Sequence, residues 1–317
     1  MEVISGRHII APGSVAATIG MFDGVHRGHA MLIGYLNRLA HERGLKSAVI
    51  TFREHPQRVL RPDTDLQMIM PLADRIEAIG RQGADYVIPM DFDLQLARLD
   101  SFNYIKLIRD NYGVRLLVTG FNHRFGHNRS EGFDDYVRHG KALGVELVQA
   151  DEYRGSYSPV SSSIIRRLIL AGKVDDAACC LGHPFMLHGV VEHGYEVGRE
   201  IGFPTANVGG IDPVLVIPHR GAYTVRVKVA DGQWLGGMAN IGVRPTMGNG
   251  SHRQSIEVHI FDFAGDIYGS PISVQFVKFL RTELKLGSVD ELRQQLVEDR
   301  TRSLQILQET RNNENFF

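Results

Sequence analysis

The chain has little with which to cross-link itself, span a bilayer or coat a polyanion. Its 317 residues include two cysteines, Cys179 and Cys180, and these are adjacent. Neighbouring thiols do not staple distant segments, and two are too few for a structural zinc site. Buried free thiols in a reducing, cytoplasmic setting are therefore expected. No run approaches the ~20 apolar residues of a membrane helix. The opening residues, Met1 to Arg7, lack the apolar stretch of a secretory leader. Excess charge is missing too: 35 Lys and Arg face 36 Asp and Glu, for a net charge of −1. That balance leaves no footprint for nucleic acid, so anionic ligands must be held by local donors. Internal repeats and low-complexity linkers are absent, and the oligomeric state is not legible.

What remains is ordinary globular material, 43% hydrophobic and 22% charged, long enough for two domains. The first half alternates short apolar strands with helical spacing. Strands are expected at Val15–Ile19, Ala48–Phe52, Tyr86–Pro89, Arg115–Thr119 and Glu146–Gln149. Helices are expected from His29, Leu72, Phe102, Phe133, Ser162 and Val174. Such alternation implies a parallel sheet covered on both faces, with ligands beyond the strand C-termini. Gly182-His183-Pro184 breaks the pattern, which places the domain boundary at 182/183. The second half predicts strands at Met186–His193, Ala222–Val229, Trp234–Ile241, Ser255–Phe261 and Ile272–Phe279. Turn residues separate them, as in a small antiparallel barrel or sandwich. A C-terminal helix follows from Ser288, carrying Leu292, Leu296, Leu304 and Leu307.

Two segments carry chemistry. In Gly20-Met21-Phe22-Asp23-Gly24-Val25-His26-Arg27-Gly28-His29, two histidines three apart share one face of a helix start. Free N–H groups and the helix dipole make such a place an anion site. The imidazoles of His26 and His29 add donors, and Gly28 leaves room near the backbone. Farther along, Ser161-Ser162-Ser163 leads into a helix, with Arg166 one turn on. These serines are N-caps or phosphate donors, and Arg166 could meet outer phosphates. The second segment is Gly202-Phe203-Pro204-Thr205-Ala206-Asn207. Pro204 restricts the backbone, and Thr205 and Asn207 project to one side if the segment is extended. A hydroxyl and an amide oxygen suit Mg²⁺, which prefers few protein ligands plus phosphates and waters. Gly198 to Gly202 would let a phosphate chain lie close. Taken alone, the segment also reads as a capped turn. Glu257, acidic among apolar neighbours, reads alone as a surface glutamate. His8, His41 and His139 read as surface residues, and Trp234 as core or rim.

The whole chain resembles the prokaryotic bifunctional riboflavin kinase/FAD synthetase family. The N-terminal motif is similar to that family's nucleotidyltransferase signature, and the serine run to its Ser-Ser-Thr-x-Ile-Arg segment. Thr51-Phe52, His55-Pro56 and Gly120 to Gly126 extend the likeness, as do Arg220–Tyr223, Asn240–Thr246, Glu257–Phe261 and Phe279–Arg281. The resemblance implies a Rossmann-like domain over 1–182 that adenylylates FMN to FAD with release of pyrophosphate. It implies a six-stranded antiparallel barrel with a C-terminal helix over 183–317 that phosphorylates riboflavin to FMN. ATP would be held at Gly20, Phe22, Gly28, Asn122, Ser162, Ser163, Arg166, Gly202 and Pro204. His26 and His29 would stabilise phosphate charge, Thr205 and Asn207 would bind Mg²⁺ with ATP, and Glu257 would be the general base. Flavin would meet Asn240, Arg244 and Arg281.

The chain departs from the pattern at four places, one of them Ala222 where the family's Gly-Val-Tyr turn has Val. Met21 stands for Asn or Val, Ser163 for Thr, and Asn122-His123 for the family's usual Asp-Phe. Asn122 keeps an oxygen acceptor and loses a charge. A kinase with a degenerate first domain, and a flavin- or nucleotide-binding protein without turnover, are the competing readings. The latter would have no use for a base at Glu257. Another His-x-Gly-His transferase would not carry the barrel motif.

Overall fold

The computed structural model describes residues 1–6, 13–127, 131–193, 198, 201–245, 252–285 and 287–312. His8 and Thr246 lie outside them, as do the side chain of Arg244 and residues 199–200 of the glycine-flanked segment. The chain forms two compact units, Met1–Leu66 with Met70–Ser161, and Gln67–Ile69 with Ser162–Phe317.

In the first unit, six strands form one parallel sheet: β1 (Glu2–Val3), β2 (Val15–Ile19), β3 (Lys46–Phe52), β4 (Tyr86–Met90), β5 (Val114–Thr119) and β6 (Glu146–Gln149). Their order is β1-β4-β3-β2-β5-β6. Helices α1 (Arg27–Glu42), α2 (Pro56–Leu60), α3 (Leu72–Arg81), α4 (Ser101–Tyr112) and α5 (Phe133–Leu143) accompany it. All five residues of β2 are buried, as a central parallel strand requires. Alternation sends them to two cores. Val15, Ala17 and Ile19 pack with Ile50, Ile105 and Ile108, while Ala16 packs with Val49, Ile33, Leu36 and Ile79. The strand order reverses between β2 and β5, and at such a switch the loops beyond the strand ends diverge and open a crevice. The loops after these two strands are Gly20–His26 and Gly120–Gly126.

In the second unit, six strands close a barrel: β7 (Phe185–Glu192), β8 (Ala206–Gly209), β9 (Gly221–Val229), β10 (Leu235–Pro245), β11 (His252–Ile260) and β12 (Pro271–Arg281). The order around it is β10-β11-β8-β7-β12-β9, with antiparallel pairing throughout. The structure thus settles barrel against sandwich. Helices α6 (Ser162–Leu170), α7 (Val174–Leu181) and α8 (Val289–Asn312) belong to this unit. Strand β8 has four residues, too few to announce itself by alternation.

Helix α8 packs differently from its leucine pattern. Leu307 is buried, but Leu304 is 39% exposed and the other buried residues are Asp299 and Ser303. Ser303 meets the hydroxyl of Thr224 at 3.0 Å, and Thr224, polar between apolar Tyr223 and Val225, lies fully buried under the helix. Asp299 receives a bidentate pair from Arg281, with Nη2–Oδ2 at 2.7 Å and Nε–Oδ1 at 3.1 Å. Removing one partner of a buried pair strands the other charge. Because the Arg281 side chain keeps 21% of its surface exposed, Asp299→Ala is expected to destabilise the barrel by about 1–3 kcal/mol. A lowered denaturation midpoint in guanidinium would register it, and an unchanged midpoint would refute it.

Candidate active sites

The first site is built on strain. After Ile19 the chain turns through Phe22 (φ 52°), Gly24 (φ 83°) and Val25 (φ 40°). Left-handed conformations at Phe and Val cost about 1–3 kcal/mol each and persist only where surroundings enforce them. Here Phe22 and Val25 are each 2% exposed and seated in the core with Leu32 and Leu36. Buried Asp23 accepts from Met70 N–H at 3.3 Å, and Thr51 Oγ1 donates to Met21 O at 3.0 Å. Arg75, fully buried, donates to the Phe52 carbonyl at 2.6 Å, and burial pulls its guanidinium down to about 10. The turn delivers His26 as the N-cap of α1.

His26 Nδ1 accepts from the His29 backbone N–H at 3.3 Å, which leaves the proton of the neutral ring on Nε2. The two imidazoles stack at 3.6 Å between centroids and 14° between planes, and Phe22 meets His29 edge-on at 5.0 Å. Burial lowers His26 to about 4, against a smaller opposing backbone hydrogen bond. Burial holds His29 well below the usual histidine range, helped by His26 and His123. Both rings are neutral near pH 7, so they act as hydrogen-bonding groups rather than fixed charges. His29 Nδ1 is buried and has no partner among the described residues. A Cβ at Gly28 would come within 3.2 Å of His26 Cε1, so the glycine also makes room for the stacked ring.

These shifts have a pH consequence. Unfolded histidine binds its proton near 6.5, and folded His26 near 4. The unfolded chain therefore takes up more protons in that window, and stability falls as pH drops from 6.5 toward 4. Thermal unfolding of this unit is expected to show that slope, and His26→Asn to flatten it. A slope unaffected by the substitution would contradict the assignment.

Asn122 is exposed in the loop beyond β5. Tyr136 anchors that loop, its hydroxyl accepting from Phe125 N–H at 3.1 Å. His123 reads in sequence as a departure from the family pattern, and the loop brings it into the electrostatic surroundings of His29. A histidine next to a motif position was the available signal. His139, expected at the surface, instead bonds Ser101 Oγ at 2.8 Å with Glu131 nearby. Ser162, Ser163 and Arg166 open α6, in the second unit.

The second site lies on the barrel wall. Register places Asn240 opposite Glu257 and Glu257 opposite Asn207. Directly opposed residues share a face, so these three polar groups form one row across β10, β11 and β8. Their neighbours Ile241, Val258 and Ala206 are buried. Asn240 is exposed, Glu257 half-buried and Asn207 9% exposed. Glu257 is thus outward-facing, as its sequence neighbours suggested, but it is embedded in a polar row rather than isolated. Gly202 has φ 84°, a conformation that favours glycine, and it turns the chain into Phe203-Pro204-Thr205. Phe203 N–H bonds Gly198 O at 2.8 Å. A Cβ at Gly198 would sit 2.3 Å from Phe203 O, so a side chain there would displace the strand entry. Arg281 commits its guanidinium to Asp299 and to the Thr282 carbonyl, which makes it a strut between β12 and α8. No cluster of three His, Cys, Asp or Glu that could hold a metal occurs among the described residues. Thr205 and Asn207 are neutral oxygen donors two apart, which fits a hard cation that takes its remaining ligands from phosphate and water.

Comparison with known proteins agrees with both units. A family model described as FAD synthetase matches residues 9–164, and one described as riboflavin kinase matches 181–307. A bifunctional riboflavin kinase/FMN adenylyltransferase of Escherichia coli K12 is 35% identical over 305 residues, covering 94% of this chain and 96% of its own. Those of Bacillus subtilis and Pseudomonas fluorescens are 34% and 36% identical, over 90% and 92% of this chain and 90% and 94% of theirs. A Streptococcus pneumoniae crystal structure described as a macrolide-efflux protein superposes with a TM-score of 0.85 at 30% identity, over 95% of this chain and 98% of that one. Among the described residues, no helix of this chain is long and apolar enough to cross a membrane. With a switch-point histidine pair in one unit, a polar row on a six-stranded barrel in the other, and matches spanning both, the chain belongs to the bifunctional riboflavin kinase/FMN adenylyltransferase family.

Proposed function

We propose that the barrel transfers the γ-phosphoryl of ATP to the ribityl 5′-hydroxyl of riboflavin, and that the first unit transfers AMP from a second ATP to FMN. In the first reaction Glu257 takes the hydroxyl proton, the oxygen attacks the γ-phosphorus, and ADP leaves. Asn207, next to it in the row, and Thr205 orient the triphosphate. Mg²⁺, held by these two oxygens, would neutralise phosphate charge when bound. In the second reaction an FMN phosphate oxygen attacks the α-phosphorus and pyrophosphate leaves. Neutral His26 presents Nε2–H to charge developing on the phosphate, and His29 supports it from the stack. Asn122, Ser162, Ser163 and Arg166 are further candidates for nucleotide contacts, and Asn240 and Arg244 for the flavin.

The observation that carries this reading is the row Asn240–Glu257–Asn207, because a base and a metal-ligand donor on adjacent strands serve a kinase. The boundary between the two activities is placed at 182/183, after the αL cap at Gly182, whereas the compact units part at Ser161/Ser162, with α6 and α7 on the barrel side. The substrates are small molecules, the setting is cytoplasmic, and nucleic acid is no partner. Riboflavin with Mg-ATP, and FMN with Mg-ATP, would be incubated separately with the protein and the flavins resolved by chromatography. FAD is expected in both. FMN accumulating without FAD would leave a kinase alone and direct attention to Asn122. Absence of product from riboflavin would overturn the kinase assignment.

A further inference from the structure

Strands β8 and β11 pair over a short ladder, Glu257 with Asn207 and Val258 with Ala206. Continuing that register would set His259 against Thr205 and Ile260 against Pro204. Pro204 has no N–H, so the backbone ladder cannot run on through it. An imidazole takes over. His259 Nδ1 lies 2.8 Å from Pro204 O. A carbonyl only accepts, so Nδ1 carries the proton and donates. The ring is held edge-on to Phe203 at 5.2 Å and to Phe261 at 5.8 Å. Phe203 and Phe261 in turn pack with Met238 and Leu307 of α8. His259 stands two residues from Glu257 on the same face of β11.

We propose that His259 is a positioning residue that clamps the Phe203-Pro204-Thr205 segment to the strand bearing Glu257. Where the missing N–H of Pro204 stops the ladder, the ring ties the segment through the Pro204 carbonyl instead. The ladder registers Asn207 against Glu257, and the imidazole extends that registration to the entry that carries Thr205. Without it, the strand entry keeps, among the described residues, the Phe203–Gly198 bond and its packing against Phe261 and Met238. The consequence falls on the phosphate donor rather than on the flavin, since Thr205 and Asn207 are the nucleotide-facing pair. This rests on the kinase reading given above.

Three variants of the full-length protein separate donor from packing. His259→Phe keeps a ring between Phe203 and Phe261 and removes the donor. His259→Asn places an amide N–H near the position of Nδ1. His259→Asp matches Asn in shape without a donor and serves if His259→Phe does not fold. The loss of one hydrogen bond that fixes reactive geometry is expected to raise the KM for Mg-ATP in FMN formation about tenfold. The riboflavin KM should stay within about twofold, and His259→Asn should return to within about threefold of wild type. Hydrogen exchange by mass spectrometry gives a readout independent of turnover: the 201–209 peptide should exchange faster in His259→Phe and at the wild-type rate in His259→Asn. A wild-type KM and wild-type exchange in His259→Phe would overturn the proposal. So would equal impairment of the Asn and Asp variants, or both substrates' KM rising together. If the wild-type protein forms no FMN, the kinase reading fails, and the exchange comparison still decides the clamp.

Discussion

Glu257→Gln is expected to lower FMN formation from riboflavin by about 10²–10⁴-fold, the range that a positioned general base supplies. The amide keeps the shape of the side chain and its place opposite Asn207 and Asn240, so packing of the row is preserved. What it loses is the ability to accept the hydroxyl proton. The loss should appear in kcat with little change in the KM for either substrate, because the interaction matters in the transition state. Conversion of added FMN to FAD by the same preparation should be unaffected, which serves as an internal control. A variant that retained more than about a tenth of wild-type FMN formation would remove Glu257 from the base role.

The second large effect is the mirror of the first. His26→Asn is expected to reduce FMN-to-FAD conversion by about 10²–10³-fold, as removal of a donor to developing phosphate charge does. Asparagine preserves the N-cap bond to His29 N–H and so keeps α1 intact. The Nε2–H donor and the stack on His29 are what disappear. His29→Ala should also abolish the conversion, but the half-buried His29 ring packs edge-on against strained Phe22, and its removal disturbs the turn as well. The capping-competent His26 variant is therefore the cleaner probe. Riboflavin phosphorylation should continue at the wild-type rate in both. If either substitution silenced both reactions in a folded protein, two separate sites would be the wrong description.

Much of this was legible from residue order. The alternation of short apolar runs with helical spacing marked five of the six parallel strands, and Glu2–Val3 escaped because two residues carry no period. In the barrel, five strands showed themselves and Ala206–Gly209 did not, being short and buried on both faces. The histidine pair stood out because two chemically loaded residues fell three apart at a strand-to-helix turn. The C-terminal helix was recognised by its leucines, yet Asp299, Ser303 and Thr224 turned out to make its buried seam. Polar residues that satisfy each other across distant elements look like surface in one dimension.

His123 and His259 make the same point for function. Neither has a local pattern that distinguishes it from the chain's other histidines. One lies in a loop that the adjacency of β2 and β5 brings near His29, the other bonds a proline carbonyl just past the end of the β8–β11 ladder. The sequence by itself determined most element types, the two-domain plan and, through its motifs, the family, because periodicity and motif spacing are local. Tertiary structure alone decided that Glu257 sits between Asn207 and Asn240, that His26 and His29 are neutral and stacked, and that Arg281 braces α8. Register, burial and desolvation arise between strands and helices far apart in the chain, and no local pattern encodes them.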